Sequence, residues 1–431
     1  MAQRFVAFEL ETPLSLPSKV MLEASAHCQL KCPSCPTTDG SSAAGIAKGT
    51  LHPIQFQQLL ADNPWIRQVE LANYGEMFLN PRLIEILALA QERKVDLMAE
   101  TGVNLNHAHE DVLEALVKYK LRKMTVSIDG ASAGTYAVYR KGGDFDRVLT
   151  NIRAINAYKH KYASAYPMLT WQFIVFGHNE HEIEQARQLA KSLGMAFRLK
   201  LTWDDDFSPL PHEAATRLRH TLGAATRAEY QKKYGEDYGQ GICHQLWDAP
   251  QLNWDGAVLG CCRNFWGNFG PNAYTHGLRN VLKGEKMQYA RAMLFGKAQP
   301  RADIPCTTCD IYLGMAARKS WLKRGARMRL RTLLSLTDRT IGLGPRHGLD
   351  RLKFALLRRR SRSAVSMSKS GYLENTLVNQ LAALHALKFN PPHGLRCAIG
   401  VNRQRIAIRF CAIPQMISPV NALMISWKFR P

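Results

Sequence analysis

The chain has 431 residues, 46% of them hydrophobic and 21% charged, enough for two or three domains with ordinary cores. Its formal charge of +22 is lopsided: residues 311–431 hold 23 of the 57 Lys and Arg but only Asp338, Asp350 and Glu374 among the 35 acids, so residues 1–310 are close to neutral. The longest apolar runs, such as residues 86–90, fall far short of the ~20 residues that span a bilayer, and Arg4, Glu9 and Glu11 interrupt any signal-peptide core. No transmembrane segment is expected and a cytoplasmic protein is, and in that reducing compartment ten cysteines read as metal ligands rather than disulfides.

Residues 19–26 predict a first strand. Directly after it, in His-Cys-Gln-Leu-Lys-Cys-Pro-Ser-Cys-Pro, Cys28, Cys32 and Cys35 stand in a C-x3-C-x2-C spacing, and no further cysteine follows until Cys243. A cuboidal iron–sulfur cluster takes four thiolates, so this loop would leave one iron with an open position, which catalytic metal sites keep and structural ones close. Zinc would want a second cysteine pair nearby. A ferredoxin would carry a different run.

Five more short apolar segments, 68–73, 96–101, 123–129, 169–176 and 196–203, predict strands buried on both faces. Helices are expected between them at 54–62, 81–93, 110–118, 144–161 and 180–192, with Pro81 in a first turn and Gly194 as a stop. Repeated strand–helix units imply a parallel sheet. Six strands are fewer than a full TIM barrel has, so the fold class expected is α/β, a partial (β/α)6 TIM-like barrel. Its chemistry should lie on the loops after the strands.

The cysteine loop and the segments after it resemble the radical S-adenosylmethionine (SAM) enzymes, which share that partial barrel. The resemblance implies a [4Fe-4S] cluster on Cys28, Cys32 and Cys35 whose free iron holds SAM. The segment Asn-Tyr-Gly-Glu-Met at residues 73–77 resembles the family's Gly-Gly-Glu-Pro, with Gly75 and Glu76 matching and Tyr74 and Met77 departing. Ser127-Ile-Asp129-Gly130 with Tyr136 and Arg140 resembles the family's Ser-x-Asp-Gly…Tyr-x-x-x-Arg stretch. By this likeness Gly75, Glu76, Ser127 and Arg140 are expected to contact SAM, Arg140 through its carboxylate-binding fork. Asn179 and Glu182 read as SAM or helix-cap contacts, capping being expected for Asn179, and the acids at 204–206 as a solvated loop.

A second group, Cys243, Cys261, Cys262, Cys306 and Cys309, brackets a predicted hairpin with an Asp255-Gly256 turn. It resembles the SPASM/twitch auxiliary-cluster extension of many radical SAM enzymes, in the single-cluster form found in aminocyclitol-oxidising members. That implies one auxiliary [4Fe-4S] cluster on Cys243, Cys261, Cys306 and Cys309, with Cys262 spare; the vicinal pair leaves open which of the two is the ligand. A zinc site with four thiolates uses the same residues.

The organisation expected is a barrel over residues 15–210, a small cysteine-rich α+β auxiliary-cluster domain over 211–315, and a basic tail over 316–431. In the tail, 316–334 and 348–362 show basic residues with apolar ones at helical spacing, and Arg358, Arg359 and Arg360 are consecutive. Such a pattern reads as a solvated, partly disordered extension, with contact to an anionic membrane surface or to nucleic acid as the alternatives. Cys397 and Cys411 have no partner motif. The reading is an iron-dependent oxidoreductase or modifying enzyme that cleaves SAM reductively, takes electrons from a flavodoxin or ferredoxin, and acts on a carbohydrate or aminocyclitol-like metabolite. The alternatives are a peptide-modifying maturase and a non-enzymatic, zinc-containing basic binding protein.

Overall fold

The computed structural model describes residues 16–43, 45–322, 395–402, 405–412 and 425–426. The chain divides into two compact units, Met1–Ile341 and Gly342–Pro431. In the first, seven strands form one sheet: β1 (Lys19–Leu22), β2 (Gln68–Glu70), β3 (Asp96–Val103), β4 (Lys123–Ser127), β5 (Met168–Val175), β6 (Ala196–Leu201) and β7 (Gln251–Leu252). Their order is β6-β5-β4-β3-β2-β1-β7, and every pairing is parallel. The six expected strands are all present, with individual ends shifted by a few residues.

The helices between them are α1 (Pro53–Asp62), α2 (Leu83–Glu92), α3 (Glu110–Lys118), α4 (Ala133–Tyr139), α5 (Phe145–Lys161) and α6 (Ile183–Ser192). Their apolar stripes cover the outward set of strand residues, so that Val69, Leu97, Val126, Trp171 and Phe173 are buried against Phe56, Leu87, Leu116 and Ile152. The inward set is polar. Lys19 meets Glu70 at 3.5 Å and Glu100 at 3.4 Å, Lys123 meets Glu100 at 3.2 Å, and Arg198 donates to Gln172 Oε1 at 2.8 Å. Alternation along each strand thus separates a dry packing layer from a charged lumen.

Three features differ from expectation. Helix α2 starts at Leu83 rather than Pro81, because the Asn80 side chain accepts the Arg82 amide at 2.8 Å and donates to the carbonyls of Ala24 and Leu51, holding Pro81 in a turn. Helix α4 was not expected. It is capped by Ser132, which accepts from the Thr135 amide. The predicted hairpin around Gly256 narrows to a single Leu252–Val258 bridge, with Gly256 at φ +89°. On its other edge Gln251 and Leu252 pair along β1 as β7.

Cysteine-bearing loops and short helices fill residues 240–318, ending in the helix Asp310–Arg318. In the second unit the described backbone is an antiparallel sheet of Leu395–Asn402, Arg405–Ala412 and Ile425–Ser426. Cys397 lies opposite Phe410 and Cys411 opposite Arg396 in its register. The helices expected at 348–362 and over most of 316–334 lie outside the described residues. Among the described residues, no helix is long and apolar enough to cross a membrane.

Candidate active site

The loops leaving β1, β2, β3 and β4 meet at the carboxyl end of the sheet. Cys28, Cys32 and Cys35 pack in one apolar nest with Leu30, Tyr139, Ile174, Phe176 and Phe207, and no other cysteine joins them among the described residues. Burial, and then the nearby Glu76 carboxylate, pushes the Cys28 thiol up to about 12. Burial also raises Cys32, against the pull of Arg140. Thiols so placed ionise only beside strong positive charge, which a metal centre supplies.

Two polar contacts address these sulfurs. Asn104 Nδ2 lies 3.7 Å from Cys28 Sγ, and Arg140 Nη1 3.7 Å from Cys32 Sγ. Arg140, the residue that ends α4, is anchored by the fully buried Asp129, whose Oδ2 accepts its Nε at 2.7 Å while Oδ1 accepts the Ile174 amide at 2.6 Å. Burial alone would lower Arg140, but the Asp129 carboxylate outweighs it and keeps the guanidinium charged. Ser127 is buried at the end of β4, 3.4 Å from Gln172 Nε2. A Cβ on Gly102, already at φ +129°, would meet the Ser127 hydroxyl at 2.5 Å.

The loop after β2 is stitched to the cysteine loop. The Glu76 amide donates to His27 O at 2.7 Å, and a Cβ on Gly75 would stand 1.9 Å from Ser25 O, so only glycine fits. The Glu76 carboxylate is spent on the amides of Phe78 and Asn104. Glu23, which sequence reasoning passed over, accepts the amides of Tyr74 and Gly75 at 3.0–3.2 Å. Burial outweighs these bonds and pushes both Glu23 and Glu76 up to about 7. An acid inside the apolar run Lys-Val-Met-Leu-Glu was the available signal.

Also unforeseen were Asn104 and Asn106. Asn104 Oδ1 accepts from Gln29 in the cysteine loop at 2.8 Å, and Asn106 joins Tyr136 Oη at 3.0 Å and the Asp144 amide at 2.7 Å. Asn179 does not cap with its side chain; it ties the β4 and β5 loops by bonding Asp129 O, Ile174 O and the Phe176 amide. Glu182 caps α4, taking the Ala131 amide and the Ser132 and Thr135 hydroxyls. Asp205 and Asp206 are exposed, and Asp204 accepts the Ser34 hydroxyl at 2.7 Å.

The second constellation gathers Cys243, Cys261, Cys306 and Cys309 around one pocket with Leu246, Trp266, Phe269, Leu294 and Tyr312. Cys243 sits in the 3-10 turn Gln240–His244, Cys306 in the turn Pro305–Thr308, and Cys309 caps the helix Asp310–Arg318. Amides of Ile311 and Tyr312 point at Cys309, those of Arg263 and Asn264 at Cys261. Cys262 is outside this pocket: its thiol bonds Gln245 and faces Lys200 and Glu70 of the barrel lumen. The donor set fits a thiolate-bound cluster in both places. Among the described residues no three His, Cys, Asp or Glu side chains close on a single ion.

Tyr74 links the two constellations. Its carbonyl accepts the Thr37 hydroxyl at 2.7 Å, its own hydroxyl donates to Asn264 O at 2.8 Å, and Asn73 beside it donates to Cys262 O at 3.1 Å.

A carboxyl-end site built on a cysteine loop in a parallel α/β sheet defines the class, and residues 22–190 match the Radical SAM superfamily. That match covers about two fifths of the chain, and it is this stretch that the superfamily's model describes. The chain is 26% identical over 180 residues to the AdoMet-dependent heme synthase of Methanosarcina barkeri, a match spanning 41% of this chain and about half (48%) of that protein. Its fold is similar to that of Streptococcus suis SuiB bound to S-adenosylmethionine, with a TM-score of 0.50 at 13% identity over 69% of this chain and 72% of the other.

Proposed function

We propose that the enzyme uses Cys28, Cys32 and Cys35 to hold a [4Fe-4S] cluster, cleaves SAM reductively, and oxidises a small polar metabolite of the carbohydrate or aminocyclitol kind. The observation that carries this reading is the three-thiol nest, lined otherwise by apolar side chains and addressed by one fixed guanidinium. Held by Cys28, Cys32 and Cys35, such a cluster would supply the one-electron reduction of SAM and with it the means to take a hydrogen atom from the substrate.

The chain's own part is placement. Leu30, Tyr139, Ile174 and Phe176 give the thiols apolar surroundings, with Cys32 buried and Cys28 and Cys35 partly so, which matters because a carbon radical must meet its substrate before anything else. Gly75 lets the β2 loop lie against the cysteine loop, exposing backbone acceptors to a cationic amine. Arg140, with Ser127 at the end of β4, suits a carboxylate. Cys243, Cys261, Cys306 and Cys309 suit an auxiliary [4Fe-4S] cluster able to accept the second electron of an oxidation, since cluster potentials respond to burial and amide hydrogen bonds. A lumen walled by Lys, Glu, Gln and Arg side chains supports a hydrophilic substrate.

Protein reconstituted anaerobically with iron and sulfide is expected to hold about eight irons per chain and, with a strong reductant, to release 5′-deoxyadenosine from SAM. Cys32→Ala should abolish that release. Release that survives in Cys32→Ala, or iron that never binds, refutes the proposal.

A further inference from the structure

The substrate's chemical class follows from the lumen, on the reading that the barrel mouth is where substrate binds. Arg198 and Lys200 occupy alternate positions of β6 and so share a face, and the Arg198 bonds to Gln172 Oε1 at 2.8 Å and Glu100 O at 3.4 Å turn that face inward. The acids of the lumen are already engaged. Glu70 holds the amides of Glu100 and Thr101 and pairs with Lys19, Glu100 pairs with Lys19 and Lys123, and Asp129 holds Arg140.

Lys200 has no hydrogen-bond or ion-pair partner among the described residues, although it is half-buried. At the carboxyl end of the same strand, Arg227 donates to the carbonyls of Leu201 and Thr202 at 3.2 and 2.5 Å, and its Nη1 is buried with no partner among the described residues. By contrast Arg263, which also lies over the Trp203 ring, is neutralised by Asp310 at 2.5 and 2.9 Å. Burial, then the like charges of Arg198 and Arg227, pushes the Lys200 ammonium down to about 8. Arg198 is exposed and feels Glu100, and Arg227 feels Asp237 and Asp205, but none of these acids pairs with Lys200; a half-buried ammonium beside like charges costs stability, and the arrangement is relieved when an anion enters.

We propose that Lys200 and Arg198, with Arg227 at the rim, form a pocket for an oxyanion of the substrate, a carboxylate or a phosphate. Lys200 supplies a point charge and the arginines their forked donors. The substrate is therefore an acid or a phosphorylated metabolite rather than a neutral sugar.

The test is calorimetric titration of the full-length, iron-reconstituted protein with inorganic phosphate at constant ionic strength, without SAM or reductant, followed by melting curves. Wild type should bind phosphate saturably and melt higher with it. Lys200→Met should lose about tenfold or more in phosphate affinity, yet melt no lower than wild type without phosphate because an unpaired ammonium is gone. Lys200→Arg should keep the response, and Arg198→Gln should weaken it in the same sense, so the result does not hang on one variant folding. Equal phosphate affinity in wild type and both charge-removing variants, or no saturable effect in wild type, overturns the assignment. A fall in SAM affinity in Lys200→Met also overturns it, by giving the cations to the carboxylate of SAM. Since the titration needs no turnover, it can succeed where deoxyadenosine release fails, and the reverse.

Discussion

Glu23 shows how one buried acid can govern the site without touching a thiol. Its carboxyl, like that of Glu76, is pushed up to about 7 from 4.5 by burial. Between about pH 4.5 and 7 the folded protein keeps protons that the unfolded chain releases, so this stabilisation is complete below about 4.5 and lost as pH rises through about 7. The displacement is worth about 3 kcal/mol per carboxyl. Glu23→Gln retains an acceptor for the Gly75 and Tyr74 amides and cannot ionise. Its melting temperature, measured without SAM, should therefore fall less than that of wild type over this range. A parallel fall in the two proteins would show that Glu23 does not titrate there.

At the scale of the element, the vicinal pair that follows the Gly256 turn points its two thiols to different places. The Cys261 thiol turns toward Cys243, Cys306 and Cys309, the Cys262 thiol toward Lys200. Cys261→Ala should lower iron by about four per chain, whereas Cys262→Ala should leave the iron content unchanged; iron and sulfide assays on the reconstituted variants check both. No sequence rule separates two adjacent cysteines. The six barrel strands and most helices were legible because burial on both faces and helical periodicity leave marks in the residues themselves. Strand β7 was not, since two residues, Gln-Leu, carry no pattern, and its partner β1 lies some 230 residues away. Helix α4 was not, because Ala-Gly-Thr-Tyr-Ala-Val-Tyr has a weak propensity and owes its start to Ser132 and to Glu182 from a distant loop. The Tyr74 departure from the family pattern becomes intelligible only when its hydroxyl is seen at Asn264.

Along the whole sequence, the net charge is unevenly shared. Residues 1–310 are near neutral while residues 311–431 carry a net +20. A tail of this kind is expected to hold the full chain on phosphatidylserine vesicles at low salt and to let go as salt screens it. Replacing Arg358, Arg359 and Arg360 by alanine should weaken sedimentation with those vesicles, and neutral vesicles should retain neither protein. Retention on neutral vesicles would assign the contact to apolar residues instead.

The segment carrying Cys243 and Cys261 is also sewn into the barrel. The amides of Met21 and Glu23 donate to the carbonyls of Pro250 and Leu252 at 3.0 and 3.1 Å, so β7 closes an edge that β1 would otherwise present bare. Unpaired strand edges recruit other chains. On the proposal that the flanking thiols hold a cluster, losing it would loosen this segment, and every newly made copy would display the same sticky border. Iron starvation would then show itself first as precipitate rather than as a dissolved but idle catalyst.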